Sequence, residues 1–109
     1  MLNRSAVVVR PKQLFVDWLK SVQELDLPDI TLDQLEKTLY LVPDYEDPDE
    51  AEKVLKKVCD EIFCRELAGW YTDEETWPKE RSLKVFRQWF DFEHFDVVED
   101  VGRTPLVDD

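Results

Sequence analysis

The stretch ELAGWYTDEETWP, Glu66–Pro78, gathers two tryptophans, a tyrosine and four acids around one glycine. No other segment looks more like a place for chemistry. Projected at about 100° per residue, Glu66 falls within the apolar stripe of the helix expected before Gly69. It also stands near that helix's C-terminus, where the backbone dipole disfavours negative charge. A buried carboxylate must be paired or protonated. Glu66 is therefore expected either to meet Arg10, Arg81 or Arg87, or to line a candidate pocket with Trp70, Trp77 and His94. His94, the sole histidine, follows Glu93, and a neighbouring acid raises an imidazole's pKa and makes it a base. No GxSxG, HExxH or Gly-rich phosphate loop accompanies either residue, and the chain has only two glycines. No catalytic residue and no cofactor is assigned, and the chain is not read as an enzyme.

Metal and thiol chemistry are equally thin. Cys59 and Cys64 are the only cysteines; on one helix they point about 140° apart, and no CxxC offers zinc or redox ligands. The acidic run DYEDPDE begins like a calcium loop at Asp44 and then departs from one. Pro48 takes the fifth position, Asp49 the place of the required glycine and Leu55 that of the bidentate glutamate. No metal site is assigned.

The acids themselves carry the stronger signal. The chain has 26 acidic against 14 basic residues, a net charge of −12. Nucleic-acid binders show a basic footprint, so direct nucleic-acid binding is disfavoured, as is an anionic membrane surface. A basic protein is the partner that this charge fits. The candidate docking residues are Asp44, Glu46, Asp47, Asp49, Glu50 and Glu52, with Asp73 and Glu74 adding to them. Helix capping and solubility account for the same acids without a partner. High net charge also favours a monomer over a homodimer.

The elements that must position these residues follow from periodicity. SAVVVR, Ser5–Arg10, is a β-branched run and reads as a buried strand, with Pro11 suited to the first turn of the next helix. Leu14, Phe15, Trp18, Leu19, Val22 and Leu25 fall on one helical face. Thr31 and Gln34 form a capping-box pattern for a short helix over Leu32–Lys37. TLYLV, Thr38–Val42, is a second strand.

Asp47, Pro48 and Glu50 then open the strongest helix in the chain. Its stripe runs Ala51, Val54, Leu55, Val58, Cys59, Ile62, Phe63 and Leu67, ending at Gly69 in an expected left-handed turn. Glu52–Lys56, Lys56–Asp60, Lys57–Glu61 and Glu61–Arg65 are spaced to pair along its outer face. Thr72 and Glu75 read as another capping box. Pro78 reads as the opening of a last helix with Leu83, Phe86, Trp89 and Phe90 on its apolar face. FDVVEDV, Phe95–Val101, reads as a third strand, and residues 103–109 as a flexible tail.

One domain over residues 1–109 is expected, with 43% hydrophobic residues to build its core. The fold class is α/β or α+β: a two-layer domain with a three-stranded sheet, three main helices and short helical turns. Helical crossovers between strands favour a parallel sheet. The near-continuous apolar character of Ala6–Val9 and Leu39–Val42 is that of strands covered by helices. No leader or membrane span is read, so a reducing cytoplasm is expected.

The stretches NRSAVVVRPK, ELAGWYTDEETWP and FRQWFDFEHFDVVEDV resemble a family of small acidic bacterial proteins, over most of the chain. The resemblance implies a bacterial, cytoplasmic protein and brings no activity with it. The order of strands and helices is also similar to that of barstar-type inhibitors of a secreted ribonuclease. That likeness is one of element order and charge, and no residue is carried over from it. The function expected is that of an acidic protein-binding module, such as an inhibitor, an immunity protein or a mimic of nucleic-acid charge. The alternative is a small enzyme or ligand-binding domain using the Trp70/Trp77 bend.

Overall fold

A computed structural model describes residues 3–22 and 31–102. Strand β1, Arg4–Pro11, lies in the middle of a three-stranded sheet, between β2, Thr38–Pro43, and β3, Phe90–Phe95. Ser5, Ala6, Val7 and Val9 are all essentially inaccessible, as expected of a central strand whose β-branched run suits a buried pleat. Helix α1, Gln13–Val22, follows β1. Helix α2, Asp49–Ala68, and helix α3, Leu83–Trp89, follow β2.

Both neighbours of β1 are antiparallel to it, which corrects the expected parallel sheet and makes the class α+β. The reason lies in the path of the chain after β1. Thr38 stands opposite Val9 and Phe90 opposite Pro11, so β2 and β3 both start at the end where β1 finishes. The chain thus re-enters the sheet at the end where it left β1, without crossing the sheet's length, and the next strand must run the opposite way. A parallel relation survives only between β2 and β3, which run the same way on either side of β1.

The third strand is the other correction. FDFEHF, not FDVVEDV, pairs with β1, and residues 97–102 form no strand. Phe90 and Phe92 alternate with Asp91 and Glu93, the period of a half-covered strand. Val97 and Val101 are exposed. Phe90 thus belongs to β3, and α3 ends before it.

All three helices contribute to one hydrophobic cluster with the same face of the sheet. α1 supplies Phe15, Trp18 and Leu19 to it; Val16 is also buried, whereas Leu14 is exposed despite its place in the expected stripe. Leu25 lies outside the described residues, as do residues 103–109. α2 buries Ala51, Leu55, Cys59, Ile62, Phe63 and Leu67, the stripe read from the sequence, with Val54 and Val58 at its margins. Phe63 makes ring contacts with Phe86, Trp89 and Phe90 at centroid distances of 6.2, 5.2 and 5.1 Å. Each such pair adds about 0.5–1.5 kcal/mol beyond its area burial.

The helix ends show how local chemistry departs from simple patterns. Pro48 is already helical at φ −52°, ψ −28°, and Asp47 Oδ1 accepts the Asp49 N–H at 3.0 Å, so Asp47 caps α2 as expected. Gly69 has φ −65°, ψ −19° and is not left-handed. The last turn closes instead through bonds from the Gly69 N–H to Arg65 O and from the Tyr71 N–H to Leu67 O. Asp73, not Thr72, caps the 3-10 turn Glu74–Thr76 by accepting from the Glu75 N–H. Ser82, not Pro78, begins α3, its hydroxyl accepting from Val85 N–H. Leu32–Lys37 holds only the 3-10 turn Leu32–Gln34; the Thr31 hydroxyl is turned to Asp33. Of the four expected ion pairs on α2, Glu61–Arg65 forms at 3.6 Å. Asp60 and Glu52 reach sideways, to Arg81 at 2.7 Å and to Arg87 at 2.6 Å, and so tie α2 to the chain around α3.

Candidate functional site

The sheet has two faces, and cross-strand partners share a face. Val7, Val9 and Pro11 project with Tyr40, Val42, Phe90, Phe92 and His94 toward the helices. Ala6 and Val8 project the other way, level with Leu41 and Phe95 and with Leu39 and Glu93 respectively. No element from the described residues contributes to a core on that side. Leu39, Leu41 and Phe95 are accordingly 55%, 47% and 40% exposed. With Ala6 and Val8 of β1 between them, these residues of the two outer strands form one apolar patch and not three scattered residues, which is the kind of exposure that needs a reason. Arg10 stands level with Asp91, and Arg4 with Pro43, so one arginine closes each end of the patch.

A group of acids converges at the end of the sheet where β2 and β3 exit; Ser5, which joins them, is paired with Val42 and so stands on the helix-covered side. Pro43 leads into Asp44 and Phe95 into Asp96, and the buried Ser5 hydroxyl joins the two exits. It donates toward Asp44 Oδ1 at 3.2 Å and the Asp96 carbonyl at 3.5 Å. Asp44, Glu46, Asp47 and Asp96 are exposed there, as are Asp49 and Glu50 in the first turn of α2. Tyr45 is buried beneath them, with its hydroxyl held near Asp96. Burial and the Asp96 and Asp44 carboxylates push its pKa up to about 12, so it stays a phenol. The Tyr45 oxygen and His94 Nδ1 are buried without a hydrogen bond of standard geometry. The two rings meet edge to face at 6.4 Å.

Glu52 belongs to the Arg87 pair and not to this acidic end. Asp73 and Glu74 follow the other end of α2, which at 20 residues is about 30 Å long. The eight acids proposed as a docking surface therefore do not form one face. The sequence pattern missed Asp96, whose run was read as part of a strand.

The four residues of the expected pocket are also divided. Trp77 is 9% exposed and donates its indole N–H to the Tyr71 carbonyl at 2.9 Å. The neighbouring Trp18 indole donates to the Thr76 carbonyl at 2.8 Å, so this part of the bend is a filled joint between α1 and the chain after α2. His94 lies on β3 against Phe92 and Tyr45. Burial lowers its pKa, opposed by Asp96; Glu93, the acid next to it in sequence, points to the other face of the sheet. Glu66 and Trp70 remain together, lining a cleft at the opposite end of the sheet. The partner of Glu66 is not an arginine. Tyr40 donates its hydroxyl to Glu66 Oε2 at 2.6 Å, and burial raises the carboxyl's pKa, opposed by the bonds from Tyr40 and Thr38.

Cys59 and Cys64 are both free, and burial raises both thiols above their ordinary pKa, away from thiolate reactivity. Among the described residues, no three His, Cys, Asp or Glu side chains are grouped to hold a metal, and no helix is long and apolar enough to cross a membrane. No protein-family model matches the chain, and neither a curated protein nor a solved structure matches it. The geometry therefore carries the functional reading.

Proposed function

We propose that the protein is an acidic protein-binding module that docks on a basic partner through the open face of its sheet. The observation that carries this reading is the exposed Leu39–Leu41–Phe95 patch, with Asp44, Glu46, Asp47 and Asp96 exposed just beyond the end of the sheet where β2 and β3 exit. An apolar centre with a polar rim is the usual anatomy of a protein interface. The strand sequences point the same way. VVV and LYLV are runs of a strand covered on both sides, yet the helices cover only one. A partner supplies the second cover.

Size decides how the rim takes part. The open face measures roughly 20 Å by 10 Å, from the rise per residue and the strand spacing. That is too small alone for the about 800 Å² per partner of a standard interface. The acidic end extends it and sets the partner's chemistry: a basic surface, such as one that binds nucleic acid, in the manner of an inhibitor, immunity protein or charge mimic. Charge there speeds encounter, while the apolar patch holds the complex.

The test is affinity capture from a lysate of the source organism at low and high salt, using three baits: native protein, Leu39→Ser/Leu41→Ser, and Asp44→Asn/Glu46→Gln/Asp47→Asn. The reading expects a basic protein on the native bait, released by salt, strongly reduced on both variants. Equal capture by all three would refute it. A native mass of two chains in light scattering, reduced to one by Leu39→Ser/Leu41→Ser, would assign the apolar face to self-association instead.

A further inference from the structure

At the other end of the sheet, about 20 Å from Ser5 along β1, a cleft of about 420 Å³ is lined by Pro11, Glu36, Thr38, Arg65, Glu66 and Trp70, among others. This lies within the usual size of small-molecule sites, and it stands apart from the acidic end assigned above. Its chemistry is unusual in one respect. Glu66 is a half-buried carboxylate whose bonds come from the Tyr40 phenol and from Thr38, both neutral. Among the described residues no basic group pairs with it. Arg65 shares the cleft, but its guanidinium is paired with Glu61 at 3.6 Å. Arg81 and Arg87 are committed to Asp60 and Glu52.

A carboxylate withdrawn from water is costly unless a cation meets it. Tyr40 cannot supply that charge, and burial together with Glu66 holds the phenol well above its ordinary pKa, so it remains a donor. Trp70 stands at the mouth with 45% of its surface exposed, and an exposed indole is the best of the aromatic faces for a cation. A second carboxylate, Glu36, lines the same cleft, while Pro11 and Leu35 give it apolar wall. The Tyr40 and Thr38 bonds use two of the about four acceptor sites of a carboxylate, which leaves Glu66 able to accept an N–H. A fully alkylated ammonium has none to give.

We propose that this cleft binds a primary ammonium group on a short aliphatic body, with the charge between Glu66 and the Trp70 ring and the chain along Pro11 and Leu35. The probe is n-butylammonium, titrated into the full chain and followed by NMR at the Trp70 indole and the Gly69 amide. Butan-1-ol, butyrate and tetramethylammonium serve as matched controls. Saturable shifts are expected with a Kd of about 1 mM, the range open to a ligand of so few heavy atoms. Glu66→Gln keeps an acceptor for Tyr40 and removes the charge, and it should weaken binding about tenfold or more, as loss of a charged hydrogen bond does. Trp70→Ala should weaken it by a few-fold, the size of an exposed cation–π contact. Because Trp70 lies outside the core, that variant keeps the test decisive even if Glu66→Gln does not fold. Shifts that never saturate, equal binding of butan-1-ol, or undiminished binding by the folded variants would overturn the site. Tetramethylammonium binding as tightly as n-butylammonium would overturn the assignment to a primary amine.

Discussion

On the covered face of the sheet, Val7 and Val9 share one core with Phe63, Phe86 and Phe90, all within 1% of complete burial. On the open face Leu39, Leu41 and Phe95 are no less apolar and keep roughly half their surface in water. Strand alternation delivers apolar side chains to both faces at once. The helices then use one set for folding and leave the other. Stability and partner binding should therefore be separable by substitution, even between residues adjacent in the chain such as Tyr40 and Leu41.

The largest effect should come from the covered face. Phe63→Ala removes a ring in contact with three others and should cost about 3–5 kcal/mol in urea unfolding. Leu41→Ser on the open face should stay within about 0.5 kcal/mol. A Leu41→Ser cost as large as that of Phe63→Ala would break the comparison. Next comes Trp18→Phe, which leaves the Thr76 carbonyl without its indole donor; about 1–3 kcal/mol should be lost.

The pH dependence separates the two ends of the sheet. Glu66 has its pKa raised above 4.5 on folding, so the folded state binds the extra proton. Stability from this source is present below pH 4.5 and is lost as pH rises through the folded-state pKa. His94 has its pKa lowered below 6.5, so stability from it is present above pH 6.5 and lost as pH falls through its folded-state value. Denaturant midpoints measured across pH 4–8 should therefore lose their downward slope in Glu66→Gln and their acid-side fall in His94→Gln. Unchanged profiles in both variants would contradict the burial assigned to these groups. A small effect of the opposite sign belongs to Gly69, whose φ is negative and where an added Cβ would meet only the Glu66 and Arg65 carbonyls at 3.5 and 3.6 Å. Gly69→Ala should raise stability by about 0.4–1 kcal/mol, read as an increase in Tm.

Much of the covered face was legible in the sequence, because its signals are periodic. The α2 stripe from Ala51 to Leu67 and the strand runs of β1 and β2 repeat at the spacing their elements need. β3 was not legible: Phe90 continues the helical spacing of Leu83 and Phe86 as well as the alternation of Phe92 and His94, and only pairing with β1 decides between them. The β-branched pair Val97–Val98 drew the strand reading to Phe95–Val101, so that it starts at the residue where β3 ends. Strand direction was hidden because a helix between two strands does not disclose where the chain re-enters the sheet.

The candidate site was half legible. Its acids stand out in DYEDPDE, but their union with Asp96 depends on the Ser5 bridge across 91 residues. The open face was concealed by its own composition, since LYLV reads as a strand buried on both sides. Helical projection singled out Glu66, which is half-buried, but not its partner Tyr40, because a tyrosine on an apolar strand carries no sign that it faces a carboxylate.

The most direct test of the central claim is the rate of association and dissociation of the captured basic partner, measured at two ionic strengths. Native protein, Leu39→Ser/Leu41→Ser and Asp44→Asn/Glu46→Gln/Asp47→Asn should be compared after equal unfolding midpoints are established. The account predicts a faster off-rate for the apolar variant, and a slower, less salt-sensitive on-rate for the acid variant. Native rates in both variants would contradict it and return the open face to mere surface.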